Sequence, residues 1–302
     1  IGVVGVPGGE SSEKLADAVA AVTGTRILVS MDAVRLDLPS GRCFHSGMDI
    51  AALDALVVKK IGERYSPDLL DRLEILCFLA DRGVRVFSNP HVVIRMLDRL
   101  GCTLKLQAAG VPMPPTIITE SPEYALQAIR CRYGRAVLKP LYTSKARGMQ
   151  LVDGEDPELP ALLARYTRDN TVLYVQKALE LQHHRDLGVV FLGREYLTTY
   201  ARVKAHDAWN TTTANGGRYA PFTPDAPILD VARKARDVFD LEFTCVDVAV
   251  TDEGPVVFEV SAFGGFRGVE ETTDLDPAAL VAEHTAARLR KPACPRHNSV
   301  TV

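Results

Sequence analysis

The stretch VVFEVSAFGGFRGVEETTDLD, residues 256–276, decides the fold of this chain. It opens as an apolar run of strand length, interrupted by one acid, Glu259. Just upstream, residues 245–250 form a second apolar run with Asp247 inside it. The short turn Asp252-Glu253-Gly254 between the two runs has hairpin chemistry. Paired antiparallel strands put Asp247 and Glu259 side by side on one face. A carboxylate among apolar strand residues is costly unless it is paired or bound to a cation. Two such carboxylates without Cys or His suit Mg2+ on nucleotide phosphates. The same residues also allow a plainer arrangement, in which each acid pairs with an arginine at the edge of the core.

Working outward, residues 136–140 form a strand that ends on Lys139, and residues 149–152 form its return strand. Lys139 either reaches a phosphate or sits in solvent at a strand end. The loop between them, residues 142–148, carries hydroxyls, two cations and one glycine. It is able to close over a triphosphate, or it is simply a polar hairpin tip. Residues 171–176 form a strand whose exit, Lys177-Ala178-Leu179-Glu180, can offer backbone groups to an adenine edge. Strands at 187–192 and 195–203, joined by Gly193-Arg194, extend an antiparallel sheet, and helices lie at 227–239 and 277–289.

The first third alternates differently. Strands at 1–6, 25–30, 55–60 and 84–87 are separated by helices at 11–22, capped by Ser11 or Ser12, and at 67–82. This order predicts a parallel sheet covered by helices. Pro7-Gly8-Gly9 is either a phosphate cradle or a strand-to-helix turn. A helix at 90–109, an extended connector at 110–116, and helices at 119–133 and 159–166 complete the middle of the chain.

Composition narrows the class. The 302 residues are 47% hydrophobic, which supports a large core and two or three packed units. A net charge of −3 without a basic tract gives no reason to expect nucleic-acid binding. None of the six cysteines forms a CxxC or metal-like spacing, which points to a reducing, cytoplasmic compartment. Residues 1–6 lack the basic flank and cleavage signal of a signal peptide, and no apolar run has membrane-spanning length.

In order and spacing these segments resemble the ATP-grasp ligases, most closely the RimK-like branch, which joins amino acids to carboxylates. The resemblance spans residues 89–289. Residues 256–276 are similar to that branch's run of strand, Glu, hydrophobe, Asn, small-residue turn, Gly-hydrophobe-Glu and Thr pair. AVLKPLYTSKARGM (136–149) looks like its lysine strand and phosphate-covering loop, and LYVQKALE (173–180) like its adenine hinge. RDLGVVFLGREYLTTYARV (185–203) looks like the strand pair that follows. The chain also looks like the ATP-grasp member of the GAK gene cluster.

The resemblance implies an α/β (α+β) ATP-grasp fold. It has an N-terminal pre-ATP-grasp α/β domain (1–89), a small central ATP-grasp subdomain (90–176), a C-terminal, mostly antiparallel subdomain (177–291) and a frayed tail (292–302). It implies ATP contacts from Arg99, Lys139, Ser144, Lys145, Arg147, Gly148, Gln176, Lys177, Ala178, Leu179 and Asp186. It assigns Mg2+ or Mn2+ to Asp247, Glu259 and Ser261, and transfer chemistry to Lys139 and Arg202. Arg218 and Asn210 would orient the acceptor or the intermediate. Four departures stand out: Ser261 replaces the branch's metal-binding Asn, Arg99 replaces its first ATP-contacting Lys, and the covering loop has lost two glycines. The segment AWNTTTANGGRYAP (208–221) replaces its Arg-Ser-Asn stretch.

The implied activity is ATP- and Mg2+-dependent carboxylate–amine ligation through an acyl phosphate. Its substrates would be an amino acid and a small molecule, peptide or protein, and self-association remains open. The alternatives are a kinase-like phosphotransferase and a non-catalytic ATP-binding partner. Among the remaining residues, His183-His184 read as a surface loop, and Trp209 as a packing or stacking residue. Glu270-Glu271 read as helix caps or metal-shell residues, and the basic residues at 288–291 complement a helix C-terminus.

Overall fold

The computed structural model describes residues 1–144 and 146–290. Lys145, Lys291, Cys294 and the tail expected at 292–302 therefore lie outside the described residues.

Short buried apolar runs separated by helices give the N-terminal part its parallel sheet. Its elements are β1 (Gly2–Val4), α1 (Glu10–Thr23), β2 (Leu28–Val29), β3 (Arg35–Asp37), β4 (Arg42–His45), β5 (Met48–Asp49), β6 (Ala55–Val58), α2 (Leu69–Asp81) and β7 (Arg85–Phe87). The parallel strand order is β2-β1-β6-β7, and β3-β4-β5 form a separate antiparallel meander. The meander was not anticipated, because strands of two to four residues carry too little periodicity. The expected serine cap of α1 is replaced by Gly9. Ser12 lies buried inside the helix, where its hydroxyl accepts from the Val6 N–H at 3.1 Å. Glu13 accepts from the Gly8 N–H at 2.7 Å, so Pro7-Gly8-Gly9 is a turn closed by the helix's own acid.

The middle of the chain contains α3 (Pro90–Leu97), α4 (Arg99–Ala108), β8 (Thr116–Thr119), α5 (Pro122–Ala128), β9 (Arg135–Leu138), β10 (Gln150–Asp153), α6 (Leu159–Asp169) and β11 (Leu173–Lys177). An antiparallel sheet of order β10-β9-β11-β8 buries Ala136, Leu138, Val152, Leu173 and Val175 against α5 and α6. The single helix expected at 90–109 is broken at Asp98, whose backbone is extended (φ −81, ψ 123). The Asp98 carboxylate accepts from the N–H groups of Leu100 (3.0 Å) and Gly101 (3.2 Å). This N-cap makes Arg99 the first residue of a new helix. Asp98→Ala is expected to cost about 1 kcal/mol of stability. Denaturant melts check this, and an unchanged midpoint would show the cap to be dispensable.

The C-terminal part contains β12 (Arg185–Leu192), β13 (Glu195–Val203), β14 (Arg218–Pro221), α7 (Ala226–Asp237), β15 (Phe243–Thr251), β16 (Gly254–Ser261), α8 (Arg267–Thr272) and α9 (Pro277–Arg290). The five strands form an antiparallel sheet of order β14-β13-β12-β15-β16. Alternation assigns its two faces different work. Leu187, Val189, Phe191, Ala201, Val246 and Val248 pack with Ile228, Val231, Ala232 and Ala235 of α7. Pairing places Asp186 opposite Arg202, and Asp247 opposite Glu259, on the other face. The β15–β16 register shifts just after Asp247. Helix α9 packs on α1 of the N-terminal part.

Gly188 is required on that second face. A Cβ there would come within 2.4 Å of the buried Tyr200 ring, and one at Gly268 within 2.5 Å. Tyr200 thus lies between two glycine backbones and has no room to retreat. Gly188→Ala is expected to destabilise by roughly 1–3 kcal/mol through overpacking. A thermal melt tests this, and an unshifted midpoint would mean that the ring can move.

The acids after β16 do not cap helices. Glu270 pairs with Lys14 at 3.0 Å, and Glu271 pairs with Arg267 at 2.5 Å. Asp276 caps α9 instead, accepting from Ala278 (2.9 Å) and Ala279 (3.1 Å). Arg288 and Arg290 lie in the last turn of α9, as expected, and Arg288 also reaches Glu242 at 3.4 Å. Trp209 is 39% exposed, so it is not a core residue. His183 and His184 form an exposed turn, as the sequence suggested. Among the described cysteines, Cys43, Cys77, Cys102 and Cys245 are buried free thiols and Cys131 is an exposed one. No described helix is long and apolar enough to cross a membrane.

Candidate functional site

The hairpin β15–β16 sets Asp247 directly across from Glu259. Each carboxylate meets one guanidinium. Arg202 of β13 contacts Asp247 at 3.0 Å and also grips Asp186 of β12 through two hydrogen bonds of 2.5 and 3.1 Å. Arg99, at the start of α4, contacts Glu259 at 3.0 Å. Arg99 is buried, and its remaining N–H groups are satisfied by the carbonyls of Pro140 (3.1 Å) and Thr143 (3.1 Å). It thereby ties α4 to the base of the 142–148 loop.

Lys139 closes the cluster from the central sheet. It is buried just past the end of β9, its Nζ donates to Gln176 Oε1 at 2.5 Å, and it lies 5.1 Å from the centre of the Phe258 ring. Burial, and then the charge of Arg99, push the Lys139 pKa down to about 7, against the pull of Glu259, Asp247 and Asp186. Burial likewise pushes Asp247 up to about 6, against the pull of Arg202. Burial works against the charge of Arg202, but Asp186 and Asp247 outweigh it and hold its pKa well above the usual value.

Arg99, Lys139, Asp186, Arg202, Asp247 and Glu259 thus converge from four strands of the C-terminal sheet, a helix start and the central sheet. Ser261 lies two residues beyond Glu259 on the same face and opposite Cys245. Ser144, Arg147 and Gly148 sit in the loop beyond Lys139, where Gly148 adopts φ +67, a conformation suited to glycine. Arg147 and Gly148 are exposed. The hinge residues are arranged differently from the expectation. Gln176 is buried and faces Lys139, and the N–H groups of Lys177 and Ala178 already donate to Pro115 (2.8 Å) and Arg135 (3.0 Å). Leu179 follows in an irregular, partly buried run. Arg218, the first residue of β14, is exposed. Asn210 accepts from Thr212 and Asn215, which folds the 208–217 loop upon itself.

Sequence reading missed what orients Gln176. Its amide donates to Thr116 Oγ1 (3.0 Å) and to the Tyr174 hydroxyl (3.4 Å), and that hydroxyl meets Thr103 of α4 at 2.9 Å. The only signal was a Tyr and a Gln two apart in an apolar strand, which alternation places on one face.

The donor set fits a hard divalent cation. Two carboxylates face each other, and among the described residues no group of three or more His, Cys, Asp and Glu gathers as a complete metal cage. Phosphate oxygens and water would complete the oxygen shell of Mg2+.

Comparison with known proteins identifies the family. The RimK-like ATP-grasp domain matches residues 97–284. The tetrahydromethanopterin:alpha-L-glutamate ligase of Methanosarcina acetivorans is 23% identical over 262 residues, covering 78% of this chain and 80% of that protein. The glutamate–LysW ligase ArgX of Sulfurisphaera tokodaii is 26% identical over 206 residues, covering 67% and 73%. The ATP-grasp ligase PsnB, solved with Mg, ADP and a phosphomimetic variant of its minimal precursor, superposes with a TM-score of 0.74 at 18% identity, covering 95% of this chain and 98% of its own. The chain belongs to the RimK-like ATP-grasp family.

Proposed function

We propose that this protein is an ATP-dependent carboxylate–amine ligase that works through an acyl phosphate. The observation that carries the proposal is the convergence of Arg99, Lys139 and Arg202 on the facing carboxylates Asp247 and Glu259. Two arginines and a protonatable lysine beside two acids offer triphosphate oxygens both positive charge and a cation-binding edge. The triphosphate would lie between the central sheet and the C-terminal sheet, under the 142–148 loop.

The substrate carboxylate attacks the γ-phosphorus, the bond to the β-phosphate oxygen breaks, and ADP leaves. The amine then attacks the acyl carbon, phosphate departs with the bonding pair, and the amine gives up a proton. Lys139 and Arg202 hold charge on the transferring phosphoryl group, and Arg99 anchors the loop that keeps water from the acyl phosphate. Asp247 and Glu259, with Ser261 nearby, would hold Mg2+ or Mn2+, which would supply charge neutralisation to the phosphates. Arg218 and Asn210 border the acceptor side. Because two of the relatives named above are glutamate ligases, glutamate is the first amino acid to assay.

The test is ADP release measured over a grid of carboxylates and amines, glutamate included. Release that requires both partners supports ligation. Release with the carboxylate alone, leaving a stable phosphorylated product, would point to a phosphotransferase. Tight ATP binding without turnover on the whole grid would point to a non-catalytic partner.

A further inference from the structure

Lys59 plays no part in the chemistry above, yet it is a buried cation held at a junction. It follows β6 of the N-terminal sheet and is only 5% exposed. Its Nζ donates to the Gly264 carbonyl at 2.5 Å, across 205 residues of sequence, and lies 4.1 Å from the centre of the Phe266 ring. The cavity beside it, about 20 Å3 and lined by Ser88, Glu242, Phe243 and Phe263, has room for about one water. The amine is thus almost wholly buried.

The segment it grips is the turn that leaves the carboxylate strand. Gly264 is three residues past Ser261, and a Cβ there would come within 2.7 Å of the Phe243 ring. The turn leads into α8, whose Glu270 is held by Lys14 of α1 at 3.0 Å. Two lysines of the N-terminal part thus fix both ends of the segment from Gly264 to Glu270.

We infer that Lys59 is a positioning residue, through which the N-terminal sheet sets the end of β16 and keeps Glu259 and Ser261 at the working distance from Asp247. A turn among Phe243, Phe263 and Phe266 would pack at least as well on a methionine, since burying an amine carries a desolvation cost that one hydrogen bond and one ring face only partly offset. Burial, and then the neighbouring charge of Lys60, lower the Lys59 pKa to about 7, which is that cost seen in another quantity. A cation kept at such a cost beside a site is the usual trade of stability for function. The inference rests on the reading of Asp247 and Glu259 as the cation-binding pair.

The test compares K59M, K59R and E259Q with the wild type in thermal melts and in Mn2+·ADP binding, read by calorimetry and by Mn2+ spin resonance. K59M is expected to melt no lower than the wild type while binding Mn2+·ADP on the order of tenfold more weakly, as for other residues that orient metal ligands. K59R, which keeps the charge and a donor, is expected to recover part of that loss. If K59M does not fold, K59Q, whose amide is one bond shorter than the lysine amine and lacks its charge, takes its place with the same expectation. Affinity within twofold of wild type in a folded K59M or K59Q overturns the inference, as does a lower melt with unchanged affinity. An unchanged affinity in E259Q would instead remove the underlying reading of the carboxylates.

Discussion

Asp247→Asn is expected to weaken Mg2+-dependent ATP binding by about a hundredfold or more, and Glu259→Gln by a similar factor. Even groups that merely orient a metal ligand cost about 10–100-fold when removed, and these two are proposed as ligands themselves. Neither change should unfold the protein. Arg202 retains Asp186 as its partner at 2.5 Å, and Arg99 retains the carbonyls of Pro140 and Thr143. The pH dependence of stability gives a second reading of Asp247→Asn. Burial raises the folded pKa of Asp247 to about 6 from its ordinary 3.8, so between those values the folded chain binds more protons than the unfolded one. Asp247 therefore contributes a stability that is present below pH 4 and lost as pH rises towards about 6. The asparagine variant should lack that slope. Calorimetric titration with ATP, with and without Mg2+, checks the main effect, and wild-type affinity in both variants would refute the cation-binding assignment.

Lys139→Met should reduce turnover on the order of 10²–10³-fold, the usual effect of removing one preorganised donor from a developing charge. It should also remove a proton-uptake signature. With a pKa of about 7, Lys139 is largely neutral at pH 8 in the free protein, and the γ-phosphate would draw a proton onto it. Calorimetry at pH 8 in two buffers of different ionisation enthalpy should report close to one proton taken up per ATP, and close to none in the methionine variant. Lys59, also near pH 7, does not adjoin the proposed phosphate position and should not contribute. The folded pKa of Lys139 lies below the unfolded value of about 10.4, so the unfolded chain binds more protons across that interval. Stability should thus rise with pH from about 7 upward, and Lys139→Met should flatten that rise. Equal proton uptake in wild type and variant would separate Lys139 from the triphosphate.

Much of the architecture was legible because periodicity was strong where burial was one-sided. The strand at 195–203 coincides with β13, and the pairing of Asp247 with Glu259 followed from two runs and a short turn. Both arrangements considered for these acids coexist in the fold: they face each other, and each also meets an arginine, Arg202 or Arg99. The misses have local causes. Apolar spacing runs unbroken through residues 90–109, so the break at Asp98 depends on a side-chain cap that periodicity does not register. Strands β8 and β14 have four residues each and sit beside Pro- and Gly-rich segments that read as connectors. Gln176 resembled a hinge residue by position, yet its amide is spent on Thr116, Tyr174 and Lys139. The contact from Lys59 to Gly264 joins residues too far apart in sequence for any local pattern to reveal.

The central claim, ligation through an acyl phosphate, is tested most directly by following oxygen. When a substrate carboxylate labelled with oxygen-18 is consumed in the presence of ATP and an amine, one labelled oxygen should leave with inorganic phosphate and the other should remain in the amide. Phosphate released without label, or amide formed without ADP, would contradict the account.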